Sequence, residues 1–308
     1  MRILRGPWSE WKSSVEASIT IGVFDGVHRG HRALIDRLDS ELERTLLTFD
    51  PHPIEVLRPG TPPRLITTID ERVRLLAAVG LSQVGLLHLA AIKELGPREF
   101  VEEVLFNRLR MRHLVVGPDF RFGRDRTGDV DLLREMGREI GFELDVVELI
   151  ADEGGPVSSS RIRQLIESGR VAEAADDLTT RFRISGHVVH GDKRGAAIGF
   201  PTANLEPPAR KVIPAQGVYA AFAHVDGNVS QAAVNVGYRP TFGGGELLIE
   251  GFILDFSDEI YGEELTIEFV EYLREELDFS DVSDLIDQIG EDVARTARVL
   301  EATTSNVG

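Results

Sequence analysis

The hydrophobic periodicity of this chain changes once, near Leu178, and that change constrains its fold more than any other feature. Before it, short apolar runs at 18–24, 45–49, 83–88, 113–117 and 143–149 read as strands. Helical patterns near 70–79, 98–110 and 129–140 fall between them, and Leu34, Leu38 and Leu42 recur at fourfold spacing. Thr68 with Glu71 reads as a capping box and Gly80 as a helix stop. Alternating strands and helices imply an α/β fold with a parallel sheet covered on both faces. After Leu178 the pattern becomes strand after strand, at 182–190, 217–225, 230–236, 247–256 and 264–273, with Gly and Pro turns between them. A stripe of Val282, Leu285, Ile286, Ile289, Val293 and Leu300 closes the chain with one long amphipathic helix. That half predicts an antiparallel sheet or small barrel. A length of 308 residues fits two such domains, bounded at 1–178 and 180–303.

Composition removes whole classes of chemistry. There is no cysteine, so disulfides, thiolate metal sites and cysteine nucleophiles are excluded. No apolar run approaches the roughly 20 residues of a membrane helix, and the first residues lack a signal-peptide core, so a cytoplasmic protein without membrane contact is expected. The net charge of −17 is concentrated: between Glu246 and Asp292 there are 17 acidic residues and one basic residue, Arg274. A nucleic-acid partner needs the opposite field. The acidic stretch reads as a solvated face, and any polyanionic substrate must be held by local donors such as Arg161, Arg163, Lys193 and Arg194.

Two constellations carry chemistry. In the first, the run from Ile21 to His31 leaves a strand, turns through Gly22 and Gly26, and opens a helix at His28-Arg29-Gly30-His31. Histidines three apart share a helix face, and a helix start offers free N–H groups to phosphate. A pair of histidines alone is more often a surface or packing feature; the strand–glycine–helix setting reverses that in favour of function, with Gly30 leaving room for a phosphate chain. Ser158, Ser159 and Ser160 precede another helix, where serines serve as ordinary caps. Arg161 and Arg163 beside them turn the segment into a candidate triphosphate clamp. In the second constellation, Gly191-Asp192-Lys193-Arg194-Gly195 precedes Gly199-Phe200-Pro201-Thr202-Ala203-Asn204. The glycine stretch is either a surface hairpin or a phosphate cradle. Thr202 and Asn204 are neutral oxygen ligands two apart, suited to Mg2+ when substrate phosphates complete its shell, or simply a polar strand end.

HRGH resembles the HxGH signature of nucleotidylyltransferases, and SSSRIR their second signature. The strings GVFDGVHRGHR, LLTFDPHPIEVL and VVGPDFRFGRDRTGD resemble the adenylyltransferase domain of prokaryotic bifunctional riboflavin kinase/FAD synthetases. GFPTANL, VIPAQGVYAA, VNVGYRPTFG, IEGFILDF and IYGEEL resemble the riboflavin kinase motifs in order, so the resemblance runs from about Ile19 to Leu300. It implies a Rossmann-like nucleotidylyltransferase domain followed by an antiparallel β-barrel kinase domain closed by a long helix. It implies phosphorylation of riboflavin to FMN by ATP with Mg2+, then adenylylation of FMN to FAD with release of pyrophosphate, and no tightly bound redox cofactor. It assigns Glu250 as general base, although a glutamate alternating with Ile249 on a strand is otherwise a solvent-facing residue. It assigns His28 and His31 to catalysis, and Gly22, Phe24, Gly30, Ser159, Ser160, Arg161 and Arg163 to ATP phosphates. Gly191, Lys193, Arg194, Gly199, Thr202 and Asn204 take that part in the second half, Thr202 and Asn204 with the metal. His52, Pro53, Asp119 and Phe120 are assigned to flavin; read alone, their segments are strand-end turns with core phenylalanines.

The sequence departs from the family at Ala196, where a basic residue is usual, at Phe252, where histidine is common, at Ser160, where threonine is, at 277–278, usually basic, and at 89–92, which lacks a common phenylalanine. Two rivals stand beside this reading. A different adenylyltransferase is opposed by the second half, and a nucleotide-binding regulator without catalysis by the retained His28, His31, Thr202, Asn204 and Glu250. A homo-oligomer is left open.

Overall fold

The computed structural model describes residues 1–148, 150–191, 195, 198–239 and 246–305. It falls into two compact units, Met1–Ser159 and Ser160–Gly308.

In the first unit, β1 (Arg2–Leu4), β2 (Ala17–Ile21), β3 (Glu43–Phe49), β4 (Gln83–Leu87), β5 (Met111–Val116) and β6 (Glu143–Val146) form one sheet in the order β1-β4-β3-β2-β5-β6. Every pairing is parallel. Neighbouring residues on these strands enter different cores, which is why the strands read as continuous apolar runs. Leu47, Leu87 and Leu114 pack on one face with Phe100 and Met136. Leu46, Leu86 and Val115 pack on the other with Phe24, Ile35 and Leu76. The edge strand β1, only three residues long, has no sequence signal of its own.

The helices are α1 (Arg29–Asp36), α2 (Pro53–Leu57), α3 (Ile69–Ala77), α4 (Leu89–Ile92), α5 (Pro97–Glu99) and α6 (Val130–Ile140). The Thr68–Glu71 box is present in both directions: Glu71 N donates to Thr68 Oγ1 at 3.2 Å, and Thr68 N to Glu71 Oε2 at 2.8 Å. The helix expected over 98–110 is different in kind. After α5 it continues as a π-helix, Phe100–Arg108, whose buried residues recur every four to five positions, Phe100 to Val104 and Leu105, then Leu109. The wider turn keeps all of them on the sheet. A short hairpin, β7 (Ala151–Asp152) and β8 (Gly155–Pro156), leads to α7 (Ser159–Glu167) and α8 (Val171–Leu178).

In the second unit, β9 (Arg183–Val189), β10 (Ala203–Glu206), β11 (Gly217–Val225), β12 (Asn228–Arg239), β13 (Glu246–Ile253) and β14 (Glu264–Arg274) close into a barrel in the order β10-β13-β12-β11-β14-β9. All pairings are antiparallel. The long helix α9 (Val282–Ser305) packs on it through Leu300 and Val299, against Val218, Ala220 and Leu273. The one base of the acidic stretch, Arg274, is largely buried and bidentate to Asp292 of α9, at 2.9 and 2.6 Å.

Candidate active sites

The first site grows from the sheet order. From β2 the chain proceeds to β3 and β4 on one side, while β5 lies on the other, so the carboxyl ends of β2 and β5 frame a crevice at the switch point. All three expected loops open there or next to it: 22–28 after β2, 117–120 after β5 and 50–53 after β3.

After β2 the backbone leaves regular structure, with left-handed φ at Phe24 (+53°), Gly26 (+87°) and Val27 (+46°), and then starts α1 with His28 as N-cap. His28 Nδ1 accepts from His31 N at 3.4 Å, which places the proton of a neutral ring on Nε2. The two imidazoles stack at 3.6 Å with 19° between their planes, and Phe24 flanks His31 at 4.8 Å. Burial, reinforced by His28 and Arg72, holds His31 well below the ordinary imidazole pKa. His31 is therefore a neutral hydrogen-bonding group at pH 7. The space at Gly30 serves His28: a Cβ there would stand 3.2 Å from its ring.

Ser159 joins this turn across 134 positions of sequence, its hydroxyl donating to Asp25 O at 2.9 Å. The hairpin before it is tied to the same signature, with Arg29 Nη2 2.9 Å from Asp152 Oδ2. Ser160, Arg161 and Arg163 belong to the second unit. Arg161 Nε lies 3.0 Å from the buried carboxylate of Asp177, so its guanidinium is engaged inside that unit. His52 is buried as N-cap of α2, accepting from Ile54 N at 3.2 Å, with Pro53 at the first helical position. Asp119 is exposed, and Phe120 stacks at 5.4 Å on Phe122, which is core. Three residues without an assigned role, Asp25, Thr67 and Arg72, are buried directly behind the His28 turn.

The second site follows from strand register. Glu250 of β13 stands opposite Asn204 of β10 on one side and Asn235 of β12 on the other, and Asn235 pairs with Val218, which pairs with Arg274. Residues directly opposite share a face, so the row brings Asn204, Glu250 and Asn235 together. Two cavities meet there. The larger, about 440 Å³, is mostly apolar, with walls from Phe200, Leu248, Phe252 and Ile289, and Glu250 and Asn235 as polar groups. The smaller, about 300 Å³, is lined by Gly191, Asn204, Asp258 and Tyr261 among others. Thr202 lines both.

Asn204 is 6 % exposed, and its Oδ1 has no hydrogen-bond partner among the described residues. A buried neutral oxygen left unpaired beside a threonine hydroxyl fits a hard cation such as Mg2+. Gly191 closes on this amide: a Cβ there would lie 2.2 Å from Asn204 Nδ2. Gly199 takes a φ of +91° that favours glycine, and a Cβ on it would meet nothing. Lys193, Arg194 and Ala196 lie outside the described residues. The departure at Phe252 is visible in the wall of the larger cavity, where its ring meets Phe200 edge-on at 5.3 Å. The wall role of Phe252 escaped the sequence reading, although its place two residues from Glu250 on β13, on the same face, is the signal that points to it.

A parallel sheet presenting an HxGH helix start, and a barrel presenting paired hard-oxygen ligands opposite a carboxylate, define a two-domain transferase that acts on phosphate groups. Comparisons narrow this further. Residues 11–161 match the FAD synthetase family model and residues 178–300 the riboflavin kinase model. The bifunctional riboflavin kinase/FMN adenylyltransferase of Escherichia coli K12 is 36 % identical over 300 residues, covering 95 % of this chain and 96 % of its own. That of Bacillus subtilis 168 is 32 % identical, covering 93 % of each. A crystal structure described as a macrolide-efflux protein from Streptococcus pneumoniae superposes with a TM-score of 0.88 at 30 % identity, over 96 % of this chain and 99 % of that one. Among the described residues no helix is long and apolar enough to cross a membrane. The chain belongs to the bifunctional riboflavin kinase/FMN adenylyltransferase family, enzymes of flavin cofactor biosynthesis.

Proposed function

We propose that the two reactions use separate sites, one in each unit, and that FMN made in the barrel is the substrate of the parallel-sheet domain. The observation that carries the kinase half is the meeting of two cavities at Thr202, with Asn204 and Glu250 opposite each other in register. The apolar cavity takes the isoalloxazine of riboflavin and the smaller one takes ATP. Glu250 accepts the proton of the ribityl 5′-hydroxyl as that oxygen attacks the γ-phosphorus, and ADP leaves. Thr202 and Asn204 would hold Mg2+ together with the ATP phosphates, and what it would supply there is charge neutralisation at the phosphate oxygens. Gly191 and Gly199 flank the phosphate side, and Lys193 and Arg194, between them in sequence, supply positive charge to the ATP phosphates in this proposal.

In the parallel-sheet domain an FMN phosphate oxygen attacks the α-phosphorus of a second ATP, and pyrophosphate leaves. His28, through Nε2–H, and His31 donate to the phosphate oxygens where charge builds, as positioning and charge compensation are what this transfer requires. Gly22 and Phe24 shape the turn, and Ser159 binds the triphosphate; Ser160 and Arg163, assigned to the phosphates by the resemblance, fall in the second unit. We give Arg161 the structural role its pairing with Asp177 supports. His52, Pro53, Asp119 and Phe120, on the loops after β3 and β5, border the flavin. A cytoplasmic location for this work is part of the proposal, supported by its use of ATP. The functional boundary falls between Leu178 and Arg181, a division supported by the span of the kinase match. Incubation with riboflavin and Mg-ATP, with FMN and FAD resolved by chromatography, tests the reading: both products are expected, and absence of either removes the corresponding half.

A further inference from the structure

Behind the His28 turn lies an ion pair that neither reaction uses directly. Arg72 of α3 and Asp25 of the turn have side chains 3 % and 0 % exposed, and Arg72 Nη2 is 3.5 Å from Asp25 Oδ1. The groups they engage include the turn itself, Thr48 of β3 and the 66–67 segment that precedes α3. Arg72 Nη1 donates to Val23 O at 3.0 Å and to Thr48 Oγ1 at 3.3 Å, while Nη2 donates to Thr67 O at 3.3 Å. Thr48 Oγ1 itself donates to Val23 O at 2.7 Å. The Asp25 carboxylate accepts from Ile66 N at 3.1 Å, Thr67 N at 2.9 Å and Thr67 Oγ1 at 3.0 Å. Thr67 Oγ1 in turn accepts from Gly26 N at 3.0 Å.

We infer that Asp25 and Arg72 are positioning residues for FMN adenylylation: their buried hydrogen bonds hold the 23–27 turn in the left-handed shape that aims His28 and His31 at the phosphates. The inference rests on the adenylyltransferase reading of the first unit. Left-handed φ at two non-glycine residues, Phe24 and Val27, persists only where the surroundings over-determine it. The network supplies that determination from three directions, through Val23 O, the Asp25 side chain and Gly26 N. An apolar pair of the same volume would serve stability as well or better, since burying two charges is costly. It would strip the turn of the bonds from the Asp25 carboxylate to Ile66 N and Thr67 N and of the Arg72 guanidinium on Val23 O. Arg72 suits the task because one planar guanidinium reaches Val23, Thr48 and Thr67 together, which a lysine ammonium on a single stem cannot do. Arg72 also lies near enough to His31 to help keep its imidazole neutral.

The full-length chain provides its own controls. Both tryptophans, Trp8 and Trp11, are in the first unit, so tryptophan emission reports its folding. Riboflavin kinase activity reports the second unit. Arg72→Lys keeps the charge opposite Asp25 and removes the fork. With FMN and ATP supplied, kcat for FAD formation should fall about 10²-fold, the scale for misplaced catalytic groups. KM for FMN and ATP should stay within about threefold, the mark of an interaction made mainly in the transition state. Kinase turnover and tryptophan emission should be those of the unsubstituted protein. Because the brace acts through the histidines, Arg72→Lys placed in a His28→Ala background should cost no more than about threefold further, the non-additivity of coupled residues. If Arg72→Lys alters tryptophan emission, the neutral pair Asp25→Asn/Arg72→Gln is read against the same criteria. Overturning results are a folded variant with near-normal kcat, or a loss that multiplies in full with His28→Ala. Failure of the unsubstituted protein to form FAD would instead remove the adenylyltransferase reading.

Discussion

The two units position their candidate phosphate-binding groups by opposite means. In the parallel-sheet unit the turn that delivers His28 and His31 to the start of α1 leaves regular structure, with left-handed residues held by a buried network. In the barrel, Asn204, Glu250 and Asn235 fall into one row because antiparallel strands pair in that register. The first arrangement depends on contacts from residues distant in sequence; the second depends on strand pairing alone. A turn site can therefore be misaligned by substitutions that touch no substrate. A register site is lost mainly by removing the group itself.

The largest effect that separates them is Glu250→Gln. Removing a general base costs about 10²–10⁴ in rate, so FMN formation should drop by that order. FAD formation from supplied FMN should be untouched; near-normal kinase turnover would send the search for a base to Asp255. Next is the reciprocal change, His28→Ala with His31→Ala. Each preorganised donor is worth about 10²–10³ in rate, and FAD formation should collapse while FMN continues to form. Unchanged FAD synthesis in a folded double variant would reject the phosphate contact.

A smaller effect tests the packing around Thr202 and Asn204, the proposed metal ligands. Gly191→Ala forces the Asn204 amide to move, because the new Cβ would lie 2.2 Å from Nδ2. The Mg2+ concentration for half-maximal kinase rate should rise about tenfold, the low end for disturbing a ligand's support. An unaltered Mg2+ dependence would detach Asn204 from the metal.

Smaller still is a pH effect confined to the first unit. The His31 pKa is lowered in the folded protein, mainly by burial, so the unfolded state binds more protons on acidification. Its contribution to stability is complete above the unfolded imidazole pKa, about 6.5, and is lost as pH falls below it. Tryptophan-detected unfolding should weaken between pH 7 and 5, and His31→Phe should blunt that slope. A steeper slope in the variant would contradict the neutral, buried imidazole.

Much of this contrast was legible in the sequence. The helix start at His28, the Thr68–Glu71 box and the strands 217–225 and 264–273 carry local signals, and the structure has them there. What was hidden depends on tertiary packing. Arg72 reads as the polar face of an amphipathic helix and is buried only because α3 packs behind the 23–27 turn. The strand β10 is four residues long and begins two residues after Pro201, too short for a period-two signal. Arg161 resembles a phosphate ligand in sequence, and only the fold of α7 against α8 brings it to Asp177. The same packing bears on the domain boundary. Because α8 packs on β14, a fragment starting at Ser160 should be more heat-stable than one starting at Thr180, with both forming FMN. Lack of kinase activity in a folded Ser160 fragment would contradict independent units.

The central claim is that two separate sites act in sequence through FMN. Mixing Glu250→Gln with the His28→Ala/His31→Ala variant tests it most directly, since each lacks one half of the route. Supplied with riboflavin and Mg-ATP, neither variant alone should make FAD, and the mixture should make FMN and then FAD. A mixture that accumulates FMN without FAD, or makes neither, would contradict the account.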